Sequence, residues 1–394
     1  MIENGNITIR NGKIEAVGLF PPPSDAQVID ASGLTVYPGM IDLGTSLGLV
    51  EINSGAPGTV DLTEIGELNP NARAVVALNP HSAHVQVTRV GGVTSVLTLP
   101  LGGLISGQAA LINLDGTTPL EMAVVPSAAL VINFPRVSAT TGGDIFTPPQ
   151  PANIIEAITT RDKQVEQLRK MLRDAEAYGR GQDAYARDPS LPRPDQSVVL
   201  ASLVAFVRGE RPVILRADRE AEIRAAVRFA DEMHLRRPII LGGDDAWKTA
   251  TLLKERNIPV ILTGVLDLPL REDDFYDTLY ANAARLREAG VRFCISTGDT
   301  GAHVRDLPFQ AGMAAAFGLP RDEALKAVTL YPAEIMNVAD RMGSIDPGKT
   351  ANLVITDGDL LEAGTHVRHL FINGRQIPLV SRHTELYEQF KDRK

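Results

Sequence analysis

Cysteine is almost missing from this 394-residue chain. Cys294 stands alone, so no intramolecular disulfide can form and no cysteine-based zinc knuckle can be assembled. Its setting, the apolar run "VRFCIS", reads as a small buried hydrophobe rather than a nucleophile. Histidine is scarce too, with seven in all, at positions 81, 84, 234, 303, 366, 369 and 383. No apolar run reaches the ~18–20 residues that span a bilayer. No basic cluster offsets the net charge of −9, which weighs against nucleic acid and membranes as partners. The opening "MIENGNITIR" lacks the basic and apolar regions of a signal peptide. Cytoplasm is therefore the default expectation, and an extracytoplasmic location would require a leader upstream.

What is present is ample apolar material, 44% of residues, and a regular alternation of strand and helix patterns. "NITIRNGKIEAVG" reads as two strands joined at Asn11-Gly12, a two-residue hairpin signal. Near the other end, "ANLVITDGD" and "HVRHLFINGRQIPLV" are again β-rich, the second with its own Asn373-Gly374 turn. Each segment is too small to fold alone, which predicts one β-sandwich composed of residues 1–36 and 340–394.

Between them, residues 37–339 carry the alternation. "GVTSVLTLP" and "EMAVVPSAALVINF" are strand-like, the second as one or two elements. A polar helix, "RDKQVEQLRKMLRDAEAYGR", lies within the stretch from Pro148 to Pro194. Then "RPVILRA", "RPIILGG", "IPVILTG" and "VRFCISTG" each lead into a helical pattern, such as Ile223, Ala226, Val227 and Ala230. Continuous Val/Ile/Leu runs suit strands covered on both faces. No Gly-x-Gly-x-x-Gly follows a strand, so an eightfold α/β barrel of the (β/α)8 type is expected rather than a dinucleotide fold. Its chemistry would sit at the strand C-termini: Asp42 to Ser46, Arg216 to Asp218, Gly242-Gly243, Thr263-Gly264 and Thr297 to Asp299. The acidic run "REDDFYD" reads as the charged start of a helix.

Pro38-Gly39-Met40-Ile41-Asp42, "GGVTSVLTLP", "GGLISGQAALINLDG", "GVRFCISTGD" and "AVTLYPAEIMNVADRMGSIDPGKTANLVITDGD" together resemble the amidohydrolase superfamily, in its imidazolonepropionase-like branch. The resemblance covers nearly the whole chain. It implies hydrolysis of a C–N bond in a cyclic amide, amidine or small peptide, with zinc or another divalent ion activating water. It also implies histidines on the first, fifth and sixth strands, a lysine on the fourth where present, and an aspartate on the eighth. Carried onto this chain, the first-strand pair falls on Gly44 and Ser46, the fifth-strand histidine on Arg216, and the sixth near Gly242-Gly243. No lysine lies between Lys13 and Lys163. Arginine has no lone pair and cannot ligate a cation. Only the eighth-strand acid remains, as Asp299. A degenerate metal site is expected, with no cofactor.

Asp299 and Arg216 are then the catalytic candidates, and Asp42, Ser46, His303 and Arg216 the candidate substrate contacts. Arg216 would replace the metal's charge and pair with Asp299, the alternatives being Asp218 or solvent. His303 is a proton shuttle or a surface side chain. His81 and His84 sit one helical turn apart without a third ligand, and His366 and His369 belong to the sandwich. Neither a phosphate-binding Lys-Ser/Thr nor a Gly-x-Ser-x-Gly elbow is present. Two readings stay open: an enzyme acting on C–N bonds with Asp299 as base, or an inactive homologue binding a small, anionic molecule or a partner protein. A homo-oligomer is compatible with either.

Overall fold

The computed structural model describes residues 2–52, 56–138, 140–141, 150–151, 153–269 and 271–393. Eight strands form one nearly closed sheet: Met40–Thr45, Val93–Thr98, Ile105–Asn113, Ala123–Asn133, Val213–Ala217, Pro238–Gly242, Val260–Leu262 and Phe293–Ile295, referred to below as the first to eighth barrel strands. Alternation along each strand explains the continuous apolar runs. Ile214, Leu241, Ile261 and Cys294 point into the barrel's own core with Leu43, Leu97 and Val131. Val213, Leu215, Ile240 and Val260 point outward, under the helices, beside Ile223, Ala226 and Val227. Those last three lie on the buried stripe of helix Glu220–Glu232, as the 3.6-residue period predicts.

One part of the barrel departs from a regular (β/α)8 pattern. The third strand runs antiparallel to both the second and the fourth. "GGLISGQAALINLDG" thus holds a strand returning from the mouth. Its turn uses Gly102 and Gly103, at φ +80° and +60°, a left-handed pair open to glycine at little cost. A short helix, Pro119–Met122, precedes an unbroken fourth strand. The fourth and fifth strands are linked through helices Ile154–Arg187 and Val198–Val207. The expected polar helix is the 34-residue one, and its approach from Pro148 lies outside the described residues. After Arg271, "REDDFYD" forms turns, and the helix starts only at Asn282. Arg271 ion-pairs with Asp274 and Asp245, which draws this stretch back onto the barrel rather than into a helix.

Both termini contribute to the β structure beside the barrel. Strands Thr35–Pro38, Leu353–Thr356, Val367–Ile372 and Arg375–Gln376 make an antiparallel sheet, and Asn6–Arg10 pairs with Lys13–Gly18. Asn11 and Gly12, and likewise Asn373 and Gly374, have positive φ, the conformation of type I′ hairpins. The two turns abut: a Cβ on Gly374 would lie 2.7 Å from Gly12 Cα. Ile14, Leu353, Ile355 and Phe371 form the apolar core between these sheets.

The ladder around the barrel stops between the eighth and first strands, and side chains close it. Asp42 is fully buried. Its Oδ2 accepts from Thr297 N–H at 3.0 Å and Thr297 Oγ1–H at 2.6 Å, and its Oδ1 accepts from Gly44 N–H at 2.8 Å. Leu43 N–H donates to Ser296 Oγ at 2.9 Å. Burial pushes the Asp42 carboxyl upward, while these donors hold its charged form. Each carboxylate oxygen meets a fixed backbone N–H, so an amide nitrogen in either place would face a donor. Asp42→Asn is expected to cost about 2–3 kcal/mol in a urea unfolding titration. An unchanged midpoint would remove Asp42 from the closure.

Candidate functional site

The mouth is framed by the residues that end the barrel strands. Arg216 belongs to the inward-facing row of the fifth strand, two residues after Ile214, beside Asn133 and Leu241. It is half-buried, and among the described residues its guanidinium makes no hydrogen bond or ion pair. Burial lowers its pKa, and the nearby Asp218 charge opposes that shift. The expected Arg216–Asp299 pair does not form. Asp299 Oδ1 instead accepts from the backbone N–H groups of Gly301 (2.6 Å) and His303 (3.1 Å), and its carbonyl accepts from Thr45 Oγ1 at 2.6 Å. These short-range bonds shape the loop leaving the eighth strand and keep the acid on its own side of the mouth.

The other candidates divide between core and surface. Asp42, expected as a substrate contact, lies wholly inside the closure described above. Ser46 is buried, with its hydroxyl donating to Leu99 O at 2.6 Å. Neither offers a free polar atom to a ligand, because the sharp turn after the first strand needs those bonds internally. The His303 ring is exposed and lies 3.1 Å from Asp306. His81 is exposed just before helix Ala83–Val90, whereas His84, inside it, contacts Glu51 O at 3.0 Å.

A carboxylate row follows the fifth to seventh strands, of which only Asp218 stood among the positions expected from the sequence. Asp218 lies against Gly242, where φ is +105° and a Cβ would fall inside the carboxylate. Asp244 Oδ1 and Asp267 Oδ2 lie 2.7 and 3.2 Å from the place a Cβ on Gly264 would occupy. Burial, then the charges of Asp218, Asp267, Asp245 and Glu222, push Asp244 up to about 7. Burial also raises Asp267, and raises Asp218 with help from Glu222 against Arg216 and Arg136. Asp245, next in sequence, goes the other way. Burial alone would raise it, but hydrogen bonds from Arg271 (2.7 Å) and Lys248 (2.8 Å), with Glu220 N–H, bring it to about 2. The signal was the pattern Gly-Gly-Asp-Asp at a strand end, glycines giving room for acids from neighbouring strands.

Among the described residues, no three His, Cys, Asp or Glu side chains are grouped to hold a metal ion. At Gly44, the first-strand position of interest, a Cβ would lie 2.9 Å from Thr263 Cγ2, 3.1 Å from Ser296 Cβ and 3.6 Å from Leu241 Cδ1. The barrel interior beneath the mouth is thus filled by a methyl, a serine and a leucine.

The sequence model of the amidohydrolase family matches residues 221–377. The chain is 24% identical to amidohydrolase tasK of Hapsidospora irregularis over 95% of its own length, and it spans 39% of that longer protein. It is 25% identical to the imidazolonepropionase of Acidiphilium cryptum, over 92% of this chain and 89% of the relative. An amidohydrolase from Thermotoga maritima shares the fold at a TM-score of 0.81, with 24% identity and 94% of each chain covered. Residues 221–377 thus match the amidohydrolase family, and the barrel with its flanking terminal sheets shares the fold of the Thermotoga protein. The similarity extends to a second imidazolonepropionase, that of Geobacillus, at 24% identity over 91% of this chain and 84% of the relative.

The adjacent aspartates give opposite expectations. A carboxyl raised in the folded state stabilises the fold at low pH and loses that contribution as pH climbs from about 4 to about 7. Asp244→Asn should therefore raise Tm at pH 8 by about 1–3 °C and flatten that limb. Asp245, depressed, contributes above its unfolded pKa, so Asp245→Asn should cost about 3 kcal/mol at pH 8. Thermal melts across pH 4–8 check both, and shifts of equal sign would contradict the assignment.

Proposed function

We propose that this protein binds a small anionic molecule at its barrel mouth through Arg216, without the family's metal centre. The carrying observation is an inward-facing guanidinium that has no hydrogen bond or ion pair among the described residues. A desolvated cation left unpaired is costly, and a bound carboxylate or phosphate would answer it with paired N–H···O bonds.

The residues present do not fit a divalent ion. Gly44 has no donor, and the space beside it is filled. Ser46 already donates to Leu99, and Arg216 has no lone pair. Gly242 leaves its space to Asp218. These residues do not support hydrolysis of a C–N bond by the usual metal-dependent route.

One observation favours a second reading. A carboxyl pushed up to about 7 by burial and its carboxylate neighbours, as Asp244 is beside Gly264 and Asp267, suits general acid–base work at neutral pH. With Asp299 as the base implied by resemblance, a metal-independent hydrolase is the rival.

Two measurements decide. Elemental analysis of protein purified without chelator, and again after zinc or manganese loading and desalting, should give far less than one ion per chain. Near-stoichiometric retention would overturn the reading. Calorimetric titration with a panel of small carboxylates and phosphates should find a binder whose affinity falls about tenfold or more in Arg216→Gln. Equal affinity in the variant would remove Arg216 from the site.

A further inference from the structure

The opposite end of the barrel carries a recurring sequence pattern that the mouth does not use. "ERPVIL", "RRPIIL" and "NIPVIL" open the fifth, sixth and seventh strands, with Pro212, Pro238 and Pro259 in equivalent places. Beneath these prolines lies a cleft of about 520 Å³, within the size range of small-molecule sites. Arg236, Arg237, Arg256 and Arg292 line it, opposed by only Asp231 and Glu334. A local surplus of positive charge on a chain of net charge −9 asks for an explanation.

The four guanidiniums are not equivalent. Arg256 pairs with Asp231 at 2.8 Å. Arg237 Nη1 donates to Glu210 O and Arg292 Nη2 to Asn257 O, both at 3.2 Å. These backbone anchors orient each fork without neutralising it. The Arg236 stem lies over Gly209, whose φ of +72° and lack of Cβ leave it room. Among the described residues, Arg236, Arg237 and Arg292 have no carboxylate partner. Arg237 is half-buried, so its charge is partly desolvated as well.

We infer that this cleft binds a multiply charged oxyanion, recognised by Arg236, Arg237 and Arg292 on the face remote from the mouth. Planar guanidinium forks suit phosphate and carboxylate oxygens alike, so the ligand is a phosphoanhydride or phosphate ester, or else a polycarboxylate. Chemistry in such barrels takes place at the opposite face, so an anion here would act as an effector or a stabiliser, not as the substrate.

Isothermal titration of the full chain with pyrophosphate, and separately with citrate, at fixed ionic strength tests the site. Saturable binding of one ion per chain is expected. Arg237→Gln and Arg292→Gln should each weaken it about tenfold, while Arg216→Gln should not. Preference for pyrophosphate would point to a phosphate ligand, and preference for citrate to a polycarboxylate. Thermal melts of both cleft variants establish that they fold. No saturable binding of either probe, binding as tight in both cleft variants as in the parent chain, or loss only in Arg216→Gln would each overturn the proposal.

Discussion

Closure of the barrel rests on one buried carboxylate. A sheet of eight strands can end in two open edges or join them, and here the backbone ladder stops short of joining. Asp42 spans the gap by accepting three hydrogen bonds, two from Thr297 and one from its own turn at Gly44. Because the acid follows directly from the terminal sheet, through Thr35–Pro38 and Gly39, it also fixes where that sheet meets the barrel.

With the edge sealed, the mouth is electrically divided. Arg216 and Arg136 lie on the side of the fourth and fifth strands, with Asp218 close to both. Asp244 and Asp267 continue the row of carboxyl groups toward the seventh strand, both raised by burial. Asp245 looks like part of that row in sequence but faces Arg271 and Lys248, and ties the start of helix Glu220–Glu232 to the loop beyond the seventh strand. Adjacent residues thus differ in role because consecutive side chains leaving a strand point in different directions.

The larger outline was legible in the sequence. Period-3.6 stripes, continuous apolar strands and the two Asn-Gly turns each report local physics that the structure retains. The reversed third strand was not legible, since a buried run such as "ISGQAALIN" has the same composition whichever way it points. Its direction is set by the Gly102-Gly103 turn. The helix expected at "REDDFYD" failed because ion pairs to Asp245, some 26 residues away, outweigh a helix-dipole preference. The place of Arg216 near the end of its strand was legible, but its separation from Asp299 was not, because Asp299 is held by amides two and four residues ahead of it. Asp244 stayed hidden because its environment is assembled from three strands and cannot be read from its own neighbours.

The pairing of Thr35–Pro38 with Leu353–Thr356 has a consequence for how the chain is made. Its partners are separated by almost the entire sequence, and the abutting Asn-Gly turns repeat that separation at Gly12 and Gly374. During synthesis the Asn6–Gly18 hairpin precedes by more than 300 residues the segment around Leu353 and Phe371 against which Ile14 packs. Long-range contacts of this kind are slow to form and leave strand edges exposed in the meantime. A nascent chain stalled before Leu353 would therefore carry Thr35–Pro38 unpaired, a form that chaperones and proteases act upon.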